Sequence, residues 1–230
     1  MLSATGVTKK CAGKEVIGAI NITIKPGTIT SLIGPSGAGK TTLLHALSLT
    51  DIPDAGAITI DEKHHVFPNT EDSHPSSSVV LVFQQLFLWP HLTLRENILL
   101  ANRLNETEMH ELISAFGMEE FVDRYPNQTS LGQRQRGALA RAIACKPRYL
   151  LLDEVTSALD IEQIELVMKY LMTLKNRGVG ILLVTHLLHF AEQVSDRIVF
   201  MDKGTIIESG GKDLLTNPQR HRTKDFLKYF

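Results

Sequence analysis

The sequence predicts an α/β fold: a parallel-sheet core with an antiparallel β-portion near its start and a helical insertion in its middle. Three observations predict it. Residues 28–33 alternate polar and apolar side chains, break at Gly34 into a glycine-rich loop, and continue into a helical segment from Lys40. Strand-like and helix-like stretches alternate again from Tyr149 to Met201. Between these parts, residues 86–146 read as helical. The expected organisation is a single domain of residues 1–230. Residues 1–85 and 147–230 form the core with its β-subdomain, and residues 86–146 form a helical subdomain.

Taken in order, residues 3–24 read as short strands around a turn at Ala12-Gly13-Lys14, and Lys25-Pro26-Gly27 turns the chain into the strand at 28–33. Pro53-Asp54-Ala55-Gly56 makes the next turn, before a strand at 57–60. Residues 61–78, with His64, His65, His74 and three consecutive serines, read as a solvated polar loop. No carboxylate or cysteine joins those histidines at a metal-site spacing. Residues 79–83 form a buried-looking strand ending at Gln84. An apolar, aromatic stretch broken by Pro90 follows, and Thr93 with Glu96 makes a capping box for the next helix. Residues 106–146 continue helical, with breaks near Gly117 and Tyr125-Pro126-Asn127. The second half is expected as strand 149–152, helix 161–177, strand 179–185, helix 187–194, strand 197–201, strand 205–208 and a basic tail helix at 220–230.

The segment Gly34-Pro35-Ser36-Gly37-Ala38-Gly39-Lys40-Thr41-Thr42 is G-x-x-x-x-G-K-[ST] between a strand and a helix. Side-chain-free backbone N–H groups and the positive end of a helix suit a polyphosphate. Lys40 can reach the β- and γ-phosphates, and Thr41 can ligand Mg²⁺. A glycine turn that merely caps a helix would not need strand, glycines, lysine and hydroxyl all in register. The expected fold class is therefore that of a P-loop NTPase, and the family resemblance drawn below implies a RecA-like core.

Further stretches carry chemistry. An apolar strand ends in Asp153-Glu154. In a P-loop fold such a strand lies beside the phosphate loop, its terminal Asp holds Mg²⁺, and the next carboxylate can orient and deprotonate water. Gln84 is either a contact to Mg²⁺ or water, or a surface glutamine. His186 stands at the carboxyl edge of the expected sheet, where ligands bind, although a capping or core histidine is the plainer reading. Ser130 is a natural N-cap whose helix start offers a second anion site, which suggests phosphate contacts made to a second subunit; the plain alternative is an ordinary capped helix.

Composition narrows the function. A net charge of −1 gives no global basic field for nucleic acid or anionic lipid. Cys11 and Cys145 lie far apart without metal-ligand spacing, as suits a reduced cytosol. The first five residues lack the charged and apolar regions of a signal peptide, and no apolar run approaches the ~20 residues of a membrane span, so membrane association is expected through a partner.

The phosphate loop, Gln84, Ser130-Leu131-Gly132-Gln133, Asp153-Glu154, Ser157-Ala158-Leu159-Asp160 and His186 follow one another in a way that resembles ABC transporter ATP-binding subunits. The resemblance covers nearly the whole chain. Val82-Phe83-Gln84-Gln85 with Phe87, Pro90-His91 and Glu96-Asn97 is most similar to the polar amino acid uptake group, as is the ending Asn217-Pro218-Gln219. The resemblance implies two copies sandwiching two ATP molecules, each held by one phosphate loop and the other copy's Ser130, Gly132 and Gln133. It implies Thr41, Gln84 and Asp153 managing Mg²⁺, Glu154 as general base, His186 at the γ-phosphate, and Asp160 in the loop crossing between subunits. A membrane permease would dock near Leu86 and Trp89, with a substrate-binding protein taking part indirectly and no nucleic acid involved. The expected location is the cytoplasmic face of the inner membrane.

Three positions depart from that pattern. Cys11 stands where the family usually stacks an aromatic on adenine, a loss of roughly 1–3 kcal/mol or about 5- to 150-fold in affinity, leaving Val16 to pack against the base. Leu131 replaces a signature glycine: if the position needs a positive φ, leucine costs ~1–2 kcal/mol, and if it needs only room near the phosphates, the side chain hinders closure instead. Val155 replaces a proline after Glu154. The expected activity is a slow or partner-dependent ATPase that energises amino acid import. A cell-division or nucleic-acid ATPase and a regulatory nucleotide-binding module remain the alternatives.

Overall fold

The computed structural model describes residues 1–69, 74–101 and 103–228. In chain order the first part forms β1 (Leu2–Cys11), β2 (Lys14–Ile24), β3 (Ile29–Ile33), α1 (Lys40–Leu47), β4 (Ala55–Ile60), β5 (Lys63–Phe67) and β6 (Val79–Val82). The helical stretch contains α2 (Leu94–Leu99), α3 (Glu106–Ala115) and α4 (Leu131–Ala144). The remainder forms β7 (Tyr149–Asp153), α5 (Ile161–Asn176), β8 (Gly180–Val184), α6 (Leu188–Val194), β9 (Arg197–Asp202), β10 (Thr205–Gly210) and α7 (His221–Leu227).

Two sheets result. An antiparallel sheet has the order β2-β1-β4-β5, and a six-stranded sheet has the order β10-β9-β3-β8-β7-β6, parallel throughout except for the β9–β10 pair. Strands β3, β7 and β8 are buried at every residue, as parallel strands covered on both faces must be. Alternate residues of β7 serve opposite faces. Leu151 joins Leu182, Val184 and the α1 leucines Leu43, Leu44 and Leu47 against Ile22 and Ile58 of the antiparallel sheet. Leu150 and Leu152 face the other side, with Val167 and Leu171 of α5 and Leu139 of α4. Helix α1 is thus clamped between the sheets, which fixes the loop before it.

The structure corrects several sequence expectations. Residues 63–67, expected within a polar loop, form β5 paired antiparallel with β4. Its inward residues are His65 and Phe67 while Lys63, His64 and Val66 face out, so the alternation is hidden by a histidine at a buried position. Residues 70–73 of that expected loop, and 229–230 of the expected tail helix, lie outside the described residues. Within 106–146 the expected breaks near Gly117 and at 125–127 separate α3 from α4, but the residues between the breaks form turns and a short 3₁₀ segment, Pro126–Gln128, rather than helix. The strand ending in Asp153 is separated from the strand that feeds the phosphate loop by β8, yet its end still lies beside that loop, where Thr41 meets Asp153.

Candidate functional site

The phosphate loop leaves the buried end of β3 under tight steric control. Gly34 has φ +154°, and a Cβ there would fall 2.0 Å from the carbonyl oxygen of Met201 on β9. Gly39 caps α1 at φ +97°, with a would-be Cβ 2.8 Å from the Val16 carbonyl oxygen. Only glycine fits at either position. No side chain caps α1, and its first turn holds no acidic residue, so its leading N–H groups are left for a ligand. Lys40 is buried and donates to the carbonyl oxygens of Gly34 (2.8 Å) and Pro35 (2.9 Å). Burial lowers the pKa of its ammonium, opposed by the nearby charges of Glu154 and Asp153.

The ends of β7 and β8 bring the acidic wall. Asp153 is 2% exposed, and burial raises its pKa, opposed in part by a hydrogen bond from Thr41. Its Oδ1 is buried with no hydrogen-bond partner among the described residues. A buried acceptor without a donor is costly, and a cation beside Thr41 would remove the cost. The donor set of hydroxyl, carboxylate and amide is hard oxygen chemistry, which fits Mg²⁺.

Glu154 follows in the left-handed region at φ +52°, its N–H held by the Val184 carbonyl oxygen at 3.1 Å. That turn aims the carboxylate between two partners. His186 Nε2 lies 2.6 Å from Oε1, and the Gln84 amide donates to Oε2 at 3.1 Å. These three side chains come from the ends of three neighbouring strands, β6, β7 and β8. With Val16 and the loop from Ser36 to Thr42 they line one cavity of 350 Å³. Gly34 and Pro35 stand behind it as acceptors for Lys40.

Other candidate residues are placed elsewhere. Ser130, Gly132, Gln133 and Asp160 do not line that cavity. Ser130 caps α4 in a closed box: its Oγ accepts the Gln133 N–H at 3.2 Å, and its own N–H meets Gln133 Oε1 at 2.9 Å. A Cβ on Gly132 would meet the Ala158 carbonyl oxygen and Gln163 Oε1, each at 2.9 Å, so packing within the chain already demands glycine. Asp160 caps α5, with both oxygens taken by Gln163. Leu131 is the first residue of α4, is 50% exposed and does not have positive φ, which removes the strain reading and leaves crowding. Cys11 is exposed at the end of β1 and Val16, not Cys11, reaches the cavity.

Two further ties fasten α4 to its neighbours. Gln135 donates to Ser157 Oγ and accepts the Ala158 N–H, joining α4 to the segment after Glu154. Arg141 reaches back from α4 to the loop after Gln84. The Ser130–Gln133 spacing was a capping-box signal in the sequence, while nothing local announced Gln135 or Arg141.

Comparison with known proteins places this geometry. Residues 17–157 match the profile of the ABC transporter family. The chain is 37% identical to the arginine transport ATP-binding protein ArtM of Bacillus subtilis, covering 99% of each. It is 36% identical to the glutamine transport ATP-binding protein GlnQ of Escherichia coli, covering 100% of this chain and 99% of that protein. It also superposes, with a TM-score of 0.81 and 30% identity over 92% of this chain and 99% of the other, on a dimeric ATP-binding cassette in a post-hydrolysis state bound to ADP and Pi.

Proposed function

The chain belongs to the ABC transporter family as an ATP-binding, ATP-hydrolysing subunit, and from that premise we propose that it energises an importer of polar amino acids. The cargo class is supported by full-length likeness to amino acid transport ATP-binding proteins. The observation that carries the mechanism is Glu154, held between His186 and Gln84 on the wall facing the phosphate loop.

In this reading the backbone N–H groups of residues 34–39 and the start of α1 take the phosphates of ATP. Lys40 exchanges its two carbonyl partners for phosphate oxygens. Thr41, Asp153 and Gln84 would hold Mg²⁺, which would supply charge neutralisation at the phosphate oxygens. Glu154 accepts a proton from the attacking water as the water oxygen bonds the γ-phosphorus, the bond to the β-phosphate oxygen breaks, and ADP and Pi form. His186 donates to the γ-phosphate and holds the Glu154 carboxylate in place.

A second copy supplies Ser130, Gly132 and Gln133 across the nucleotide, with Asp160 at the subunit crossing. Residues 86–146 act as the helical subdomain, and the permease docks near residues 86–89. A groove of 550 Å³ there includes Leu86, Phe87, Trp89, Leu100 and Ala138. Among the described residues no helix is long and apolar enough to cross a membrane. In this reading the subunit attaches to the cytoplasmic face through that permease.

The test is Glu154→Gln, weighed by light scattering with and without ATP, followed by uptake of labelled amino acids by the reconstituted transporter. The reading expects ATP to convert monomer to dimer and uptake to require ATP. Measurable ATP binding without any dimer, even beside the permease, would overturn the two-copy reading, and ATP-independent uptake would overturn the energising role.

A further inference from the structure

The turn between β9 and β10 stands behind the phosphate loop and touches it at two points. At the start of the loop, the Met201 carbonyl oxygen fills the space where a Cβ on Gly34 would fall. Further along, the Gly204 N–H donates to the Ala38 carbonyl oxygen at 3.0 Å. Lys203 and Gly204 lie in the left-handed region, at φ +45° and +77°, as the two central residues of a tight hairpin turn do. The Gly204 carbonyl oxygen accepts the Gly18 N–H at 3.0 Å, and a Cβ on Gly204 would fall 2.5 Å from the Val16 carbonyl oxygen. One turn thus sets both the loop and the β2 segment that brings Val16 to the cavity.

The turn is held in its place by α7. Glu208 of β10 accepts the N–H groups of Gln219 (2.7 Å) and Arg220 (3.1 Å), which fixes the approach to the helix. Phe226 lies on Phe200 of β9, with ring centroids 5.0 Å apart. Between these two anchors, Arg222 Nε donates to Asp202 Oδ2 at 2.7 Å. Asp202 is the last residue of β9 and is buried, while the arginine side chain is half-exposed. A buried carboxylate is costly without its partner, so the strand end keeps its position only with the guanidinium in place. The aromatic pair fastens α7 to the middle of β9. The ion pair acts instead on the residue from which the turn starts.

We propose that Arg222 and Asp202 are positioning residues for the nucleotide: α7 latches the β9–β10 turn, and the turn holds the phosphate loop and Val16 in the geometry that receives ATP. The inference rests on the reading that residues 34–42 take the phosphates. Neither residue lines the cavity, so the latch acts on affinity through the backbone of Met201, Gly204 and Ala38.

The experiment compares wild type, Arg222→Gln, Arg222→Lys, Asp202→Asn and Phe226→Leu as full chains, by calorimetric ATP binding, basal hydrolysis and melting temperature. Arg222→Gln should raise the Kd and KM for ATP about fivefold to tenfold at unchanged kcat, within the range that changes remote from a site produce. Arg222→Lys should restore both, because an ammonium can supply the bond that Nε makes to Asp202. Asp202→Asn leaves no unpaired buried charge and should still raise the Kd at least about twofold. Phe226→Leu, which thins the packing on Phe200 and spares the ion pair, should lower the melting temperature at an unchanged Kd. A Kd unchanged in both Arg222→Gln and Asp202→Asn would overturn the proposal. An equal rise in Phe226→Leu would overturn it too, by tracing the effect to stability alone. Failure of the phosphate-loop reading shows separately: Lys40→Met that binds ATP as tightly as wild type removes that reading and this one together. Weakened Lys40→Met beside unaffected Arg222 and Asp202 variants sinks only the latch.

Discussion

The wall around the phosphate loop and the start of α4 are both places where a helix begins, yet their polar groups are left in opposite states. At the wall, among the described residues, α1 has no side-chain cap, Asp153 Oδ1 is buried without a donor, and Lys40 donates to backbone carbonyls. At α4 the Ser130–Gln133 box closes on itself, and Asp160 does the same at α5. The difference follows from who supplies the missing partner. A site assembled from the strand ends of one chain can keep costly vacancies, because burial by the two sheets holds them in place. In the proposed dimer the Ser130 segment waits at the surface for a second copy; such a segment must be stable in water, so it satisfies its own ends.

The largest test of that contrast is Glu154→Gln, which should lower ATP hydrolysis about 10²- to 10⁴-fold while ATP still binds, read by phosphate release and calorimetry. Hydrolysis that persists would mean the wall's central carboxylate is not the base. Next, Lys40→Met should weaken ATP binding about 10- to 150-fold through loss of a charge-assisted contact. It should also raise the melting temperature of the nucleotide-free protein, because a buried ammonium is removed. At the other region Gly132→Ala should cost about 1–3 kcal/mol of stability without nucleotide, since its methyl meets Ala158 and Gln163. Full stability with lost turnover would instead place the demand for glycine across the dimer. Ser130→Ala should cost about 1 kcal/mol in chemical denaturation as the cap is lost. Leu131→Gly should have the smallest effect on stability, under about 1 kcal/mol, and should raise turnover of the intact transporter. Unchanged turnover there would show that the leucine does not crowd the partner's phosphates.

Much of the phosphate wall was legible because its parts are local. Glycine spacing, a lysine and a hydroxyl in register announce an anion cradle, and an apolar run ending in two carboxylates announces a sheet edge. The bond between Glu154 and His186 was not legible, since 32 residues separate them and only the adjacency of β7 and β8 joins them. Strand β5 was hidden because a histidine occupies one of its inward positions. Whether Leu131 is strained could not be decided from residue type. Its place as first residue of α4 decides it, because helical φ removes the penalty that a left-handed turn would carry.

By itself, then, the sequence determined the local chemistry: where the chain turns, where a glycine loop runs from a strand into a helix, and which helices open with a cap. The tertiary structure alone decided which ends meet. It placed β8 between β3 and β7, set Gln84, Glu154 and His186 on one wall, and left Asp153 with a vacant oxygen. The physical reason is that spacing along the chain specifies backbone conformation and capping over a few residues. Strand order is instead set by burial on both faces of the sheet, where apolar strands such as Tyr149–Asp153 and Gly180–Val184 carry almost no local mark of their neighbours.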